Sequence, residues 1–264
     1  MLQAAVILTM LQLDAPSHQA RHRARSERLP NMIRALRALG LTNSDGDGRN
    51  PSFVAGNTGY ALDITENVAR LVYCTYIVDC KLAVFYRASP HLNVGEMTVK
   101  MPLNRHTSIV AEPASFGTNA SKTDTMSLAT CIRIILHASE DEWNLQDFVG
   151  LSMFDLFVII CAIHSIISTT RASLTLINST HGIETGLRRW RSIWDANLNV
   201  FTEENSTRSF MACAPEIWYL TKIALYHGTY EKLWSISGGT TDTEDMTIFH
   251  KVLVALGYTQ GAKQ

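Results

Sequence analysis

The sequence predicts an all-α protein, a multi-helix bundle, and three observations carry that expectation. Between Ser152 and Leu225 three apolar patterns of helical period follow one another, studded with Trp190, Trp194 and Trp218. Helix-start chemistry stands where the first of these patterns begins, with Ser152 three residues ahead of Asp155. The 264 residues are 46% hydrophobic and 18% charged, which is ample material for a core.

Taken in order, Met1–Leu13 reads as a mostly apolar helix, and Asp14-Ala15-Pro16-Ser17 as a turn. The next pattern carries Arg21, Arg25 and Arg28 on one face, then Leu29, Met32, Ile33, Leu36 and Leu39. Pro30 removes a backbone donor and is expected to kink or divide it, and Gly40 is placed to close it. Thr42–Tyr60, polar and rich in glycine, reads as a loop. Asp63 with Glu66 resembles a capping box, and Val68 to Phe85 supports a long helix to about Arg87. Ser89-Pro90 ends it, and His91–Pro102 is expected to be short and extended or irregular. Asn104–Thr123 is a second polar connector, Met126–His137 a helix and Ser139–Asp147 an acidic link.

Ser152 and Asp155 open a helix whose body, Leu156 to Ile167, is apolar on nearly all sides. Asp155 and His164 leave an apolar stretch well short of the ~20 residues a bilayer requires. The expectation is a central core helix, with His164 hydrogen-bonded inside it. In Ser179–Phe201, Ile183, Leu187, Trp190, Trp194, Leu198 and Phe201 share one stripe, with Arg188, Arg189, Arg191 and Asp195 mostly outside it. Aromatic stripes at this spacing are packing far more often than a ligand box. The third pattern, Ser206–Leu225, places Phe210, Ala214, Ile217, Thr221 and Leu225 together. Pro215 interrupts it, and Glu216 suits a helix restarting there. After Trp234 the pattern breaks at Gly238-Gly239, and Ile248–Leu256 is expected to form a short last helix.

A net charge of -1 gives no global pull toward nucleic acid. The five cysteines, Cys74, Cys80, Cys131, Cys161 and Cys213, are scattered and lack the close pairs of a zinc site. They read as reduced, buried thiols of an intracellular protein. The apolar start lacks the basic region of a signal peptide, so the glycosylation triplets at Asn119, Asn178 and Asn205 carry little weight. An uncapped helix starting at Met1 hints at a longer natural protein or a shortened relative.

Several candidate sites weaken on inspection. Arg21, Arg23, Arg25, Arg28, Arg34 and Arg37 are the one basic concentration, but without interleaved aromatics they read as a solvated face. Asn43, Asp45, Asp47 and Gly48 mimic half of a calcium loop, yet Val54 stands where a bidentate glutamate is needed. His137, Glu140, Asp141 and Glu142 lack a second acidic motif to complete a metal site. Gly150-Leu151-Ser152 lacks the closing glycine of a nucleophile elbow, and neither a P-loop nor a dinucleotide fingerprint occurs. Asp79, among apolar Tyr76, Leu82 and Ala83, is expected to be buried and met by an arginine or by several donors from another helix.

Phe154-Asp155-Leu156-Phe157-Val158, Ala162-Ile163-His164, Arg189-Trp190 with Trp194, and Ala214-Pro215-Glu216-Ile217-Trp218 together resemble the regulatory, or middle homology, domain of fungal-specific transcription factors. Upstream, Leu2-Gln3-Ala4-Ala5-Val6, the arginine-rich run after His18, and Arg34 to Leu41 resemble that domain's opening helix pair. Tyr76-Ile77-Val78-Asp79, Pro90, Glu96-Met97 and Pro102 are similar to its middle segment. The likeness runs from about Met1 to Trp234, and order and spacing give it weight.

The resemblance implies a helical regulatory domain over 1–236, with polar connectors near 42–60 and 104–123 and a tail over 237–264. Its structural anchors would be Asp79, Asp155, Trp190, Trp194, Pro215 and Trp218. It implies no catalytic, cofactor-binding or metal-binding residue, and zinc only in a DNA-binding module that this chain lacks. The expected partners are transcriptional co-regulators or a second copy, with no membrane, no specific DNA binding by this chain alone, and an effector the likeness does not name. The location implied is nuclear. The alternative is an all-helical enzyme with a polar pocket lined by His164, Asp155 or Glu216.

Overall fold

The computed structural model describes residues 2–42, 58–86, 88–102, 126–203 and 210–227. The expected calcium-loop mimic, most of both polar connectors and the 237–264 tail lie outside them. The described residues hold eight α-helices and no strand, only one isolated bridge between Lys100 and Ser127. The all-α expectation therefore stands.

Helix α1 is Leu2–Leu13 and α2 is His18–Arg23, opened by the Ser17 hydroxyl accepting the Ala20 N–H. A π-helical turn, Ala24–Arg28, leads directly into α3, Leu29–Ala38, with Pro30 in its first turn. The division expected at Pro30 thus falls just before it: the Leu29 N–H reaches back to the Ala24 carbonyl, and the missing proline donor coincides with the register change. Gly40 (φ +66°) closes α3, with the Gly40 and Leu41 N–H groups on the Arg37 and Leu36 carbonyls. Leu39, expected on the buried stripe, is 59% exposed because the helix is already ending there.

Helix α4 is Thr58–Tyr86. It starts ahead of Asp63, so Asp63 and Glu66 do not open it, and the loop expected to reach Tyr60 is shorter. Residues 88–102 return along α4 through a three-residue 3-10 turn, Val94–Glu96, capped reciprocally by Asn93 and Glu96. The Tyr73 hydroxyl ties this return to α5, Leu128–His137: it donates to the Val99 carbonyl at 2.9 Å and accepts the Leu128 N–H at 3.1 Å.

Helix α6, Met153–Ala172, is the centre of the body, with α4, α5, α7 and α8 packed around it. The Ser152–Asp155 capping box is present: the hydroxyl accepts the Asp155 N–H at 3.1 Å and the carboxylate accepts the Ser152 N–H at 3.0 Å. At 20 residues α6 is longer than the interrupted stretch expected, and by length and composition it passes for a membrane span. Asp155 sits in the capping turn and His164 faces a neighbouring helix, so neither interrupts it. Of its most apolar window, 72% is buried inside the protein.

Helix α7, Leu176–Glu203, buries Ile183, Leu187, Trp190 and Trp194. Farther along, Leu198 is 44% exposed, and Ile193 and Asn197 take the inner positions. At 100° per residue Leu198 lies about 60° to one side of Ile183, while Ile193 and Asn197 lie on the other, so the buried arc is centred to one side of the expected stripe. Helix α8, Ala214–His227, follows a 3-10 turn over Phe210–Cys213 and places Pro215 in its first turn with Glu216 beside it, where a missing donor costs nothing. Ala214, Ile217, Thr221 and Leu225 share its buried face.

Candidate functional site

A polar constellation surrounds Asp79, late on α4 and fully buried. One carboxylate oxygen accepts the backbone N–H groups of His91 and Leu92, both at 2.7 Å, and the other lies 2.8 Å from His91 Nδ1. The donors come from the return segment after α4, not from an arginine or another helix as expected. The nearest arginine, Arg37 of α3, instead clasps Glu96 with two nitrogens at 2.6 and 2.7 Å and donates to the His91 carbonyl. The Arg37 guanidinium beside Glu96 holds its carboxyl below the usual carboxylate range. Asp79 and Arg37 thus grip the same peptide from opposite sides and fix His91, whose side chain is 37% exposed.

A buried acid orienting a half-exposed imidazole is an arrangement able to serve a general base. Among the described residues no serine, threonine or cysteine side chain is bonded to the His91 ring.

The other anchors tie helices together. Trp190 Nε1 donates to the Leu156 carbonyl of α6 at 2.9 Å, and its ring stacks on Trp194 with centroids 5.4 Å apart. Trp218 Nε1 donates to the Leu187 carbonyl of α7 at 2.8 Å, while Lys222 and Arg191 lie over its ring. Asp155 serves the α6 cap. His164 Nδ1 lies 3.2 Å from the Thr221 hydroxyl, which itself donates to the Ile217 carbonyl, so the imidazole is the donor there. Burial lowers His164 to about 4, keeping it neutral. Glu216, on the first turn of α8, is half-buried. Asp155 and His164 thus stand nine residues apart on α6, and Glu216 opens α8.

Arg189 and Asn197 are among the buried polar residues that escaped the sequence reading. Arg189, placed outside the stripe, is buried; it donates to the Ile135 and Ala138 carbonyls at 3.2 and 2.9 Å and reaches Glu140 at 3.1 Å. It caps the C-terminal end of α5, and Trp143 lies against its guanidinium. Glu140 is therefore committed to arginine. Asn197 accepts the Gly150 N–H at 2.7 Å and donates to the Phe148 carbonyl at 3.2 Å, holding the loop before α6 against α7. An arginine flanking an apolar stripe gave no signal of burial. The pair Gly182 and Gly186, one turn apart and facing α5, was a legible sign of close helix approach.

No group of three or more His, Cys, Asp or Glu side chains able to hold a metal ion occurs among the described residues. Burial pushes Cys80 and Cys161 up, and Cys131 and Cys213 up to about 12, so these thiols stay protonated and poorly nucleophilic at neutral pH. No family model, no curated protein and no solved structure matches the chain.

Proposed function

We propose that this chain is the helical regulatory domain of a fungal transcription factor, working in the nucleus by binding co-regulators or a second copy, with DNA reading left to a zinc module elsewhere. The observation that carries the reading is the ordered set of residues from Phe154 to Trp218. Their positions coincide with the joints of the bundle: Trp190 joins α7 to α6, Trp218 joins α8 to α7, and the Pro215 turn starts α8. A resemblance concentrated in residues that hold three helices together is what shared architecture produces. The chain is then a scaffold whose surfaces do the work, without a cofactor of its own. Fusing it to a heterologous DNA-binding module upstream of a reporter tests this: the fusion changes reporter output relative to the module alone, and unchanged output overturns it.

A second reading, a helical enzyme, is favoured by one observation, the Asp79–His91 pair. It requires a substrate-binding cleft at His91, and a reaction lost in His91→Ala without loss of folding would establish it.

A further inference from the structure

His18 and His22 stand one turn apart on α2, with Gln19, Ala20 and Arg21 between them. Residues four apart share a helix face, so both imidazoles rise from the same side. Their ring planes lie 26° apart with centroids 6.5 Å apart, and both residues are exposed. The Ser17 hydroxyl fixes the start of α2, and the backbone stays helical through the joins to the π-turn and α3, so the pair sits on one continuous element. Ser26, four residues further on, sets the tautomer of His22. Its hydroxyl gives its one proton to the His22 carbonyl at 2.8 Å, so toward the ring, whose Nδ1 lies 3.4 Å away, it can only accept. The lone pair of that imidazole is therefore on Nε2. Among the described residues no other hydrogen bond or ion pair reaches either ring.

We propose that His18 and His22 form a surface site for an imidazole-seeking divalent transition ion, of the zinc and copper class. Two histidines at this spacing on one helix face are the ligand pair that helical zinc sites use. A metal-bound histidine almost always donates its other ring N–H to an acceptor, and Ser26 supplies one to His22. Gln19 stands where such zinc enzymes place a general base, so the pair holds an ion and assigns no hydrolysis. Metal–nitrogen bonds of about 2.0–2.1 Å draw the two rings closer than they now stand, a change that exposed side chains make by rotation. Glu27 is the only acid over 18–38, and no cluster of three or more ligands gathers among the described residues, so oxygen-seeking magnesium and calcium are poorly served. Two protein ligands leave the remaining positions to water, which makes the ion exchangeable. The site goes beyond the regulatory reading and stands whether or not that reading holds.

The test titrates the whole chain with copper(II) chloride, copper being the ion of this class that nitrogen ligands hold most tightly. Calorimetry should show saturable binding whose tightest site weakens at least about tenfold in H18Q and in H22Q alike, because each removes one arm of a chelate. The double variant H22Q/R23H keeps the number of histidines but sets them five apart, on different faces, and should restore nothing. In the NMR spectrum, copper below one equivalent should broaden the ring signals of His18 and His22 before those of the other seven of the nine histidines. Both residues are exposed, so the variants keep the parent's melting curve without metal. Tightest binding that ignores either substitution, that returns in H22Q/R23H, or that broadens other histidines first overturns the proposal. So does an absence of copper binding, or magnesium chloride binding equally well.

Discussion

Asp79 accepts the backbone N–H of Leu92 at 2.7 Å across the corner where the chain leaves α4 and turns back along it. With His91 donating through both its backbone and its ring, three donors converge on one buried carboxylate. Asp79→Ala would strand those donors and release the corner that Arg37 also grips. Removing one partner of such a buried set costs about 3 kcal/mol. Urea unfolding should show a clearly lower midpoint for D79A; an unchanged midpoint would contradict the role assigned to this carboxylate.

Gly182 and Gly186 differ in what a methyl group would meet. At Gly186 a Cβ would lie 2.3 Å from Leu136 Cδ2, and Leu136 is itself buried, so its side chain must move within a packed seam. At Gly182 the nearest atom is the Leu136 carbonyl oxygen at 3.4 Å, which is close but tolerable. Helix propensity favours alanine over glycine by up to about 1 kcal/mol at either site. G182A should therefore raise the melting temperature and G186A lower it, with L136A relieving the second effect. Equal responses at the two positions would show that α5 and α7 do not approach as described.

Leu174 occupies the left-handed region (φ +58°) at the end of α6, and its side chain is 90% exposed. The Thr175 N–H on the Thr170 carbonyl and the Leu174 N–H on the Arg171 carbonyl complete a cap that usually carries glycine. Left-handed geometry costs a side chain of this kind about 1–2 kcal/mol, and burial recovers none of it here. L174G should be more stable than the parent in thermal melts, by up to about 1 kcal/mol after the extra freedom of the unfolded glycine. A destabilised L174G would mean that the turn is held in some other conformation.

His164 is lowered from 6.5 to about 4 by burial, with Arg171 adding to the effect. Its folded pKa lies below its unfolded one, so the unfolded chain takes up the proton first as pH falls. Its contribution to stability is whole above about 6.5 and drains away between that pH and about 4, reaching about 3 kcal/mol. H164Q, which cannot titrate, should show a shallower loss of melting temperature over this window than the parent. Parallel slopes would place the imidazole in water.

The helices were legible where local chemistry wrote them: the Ser152–Asp155 box, the Gly40 stop and the Pro215 restart all follow from which backbone donors and acceptors need partners. Long-range pairings were not. Asp79 had to find donors, but nothing in its neighbours said that they would come from residues 91 and 92. Arg189 looks like any solvent-facing arginine until the end of α5 is brought beneath it. The stripe on α7 failed at Leu198 because periodicity groups residues on a face, while which side of that face is covered depends on the elements packed against it. Of the candidate surfaces, α1 was read as an apolar helix, but its second, uncovered side appears only once the first is packed.

The central claim, that this body regulates by offering surfaces to partners, is tested most directly by the tethered reporter run with Trp190→Ala alongside. Trp190 is fully buried and bonded to the Leu156 carbonyl, so W190A dismantles the joint between α7 and α6 while leaving the tether intact. The account predicts a change in reporter output for the parent fusion that disappears in W190A. Output equal to that of the DNA-binding module alone, or an effect that W190A leaves untouched, would contradict it.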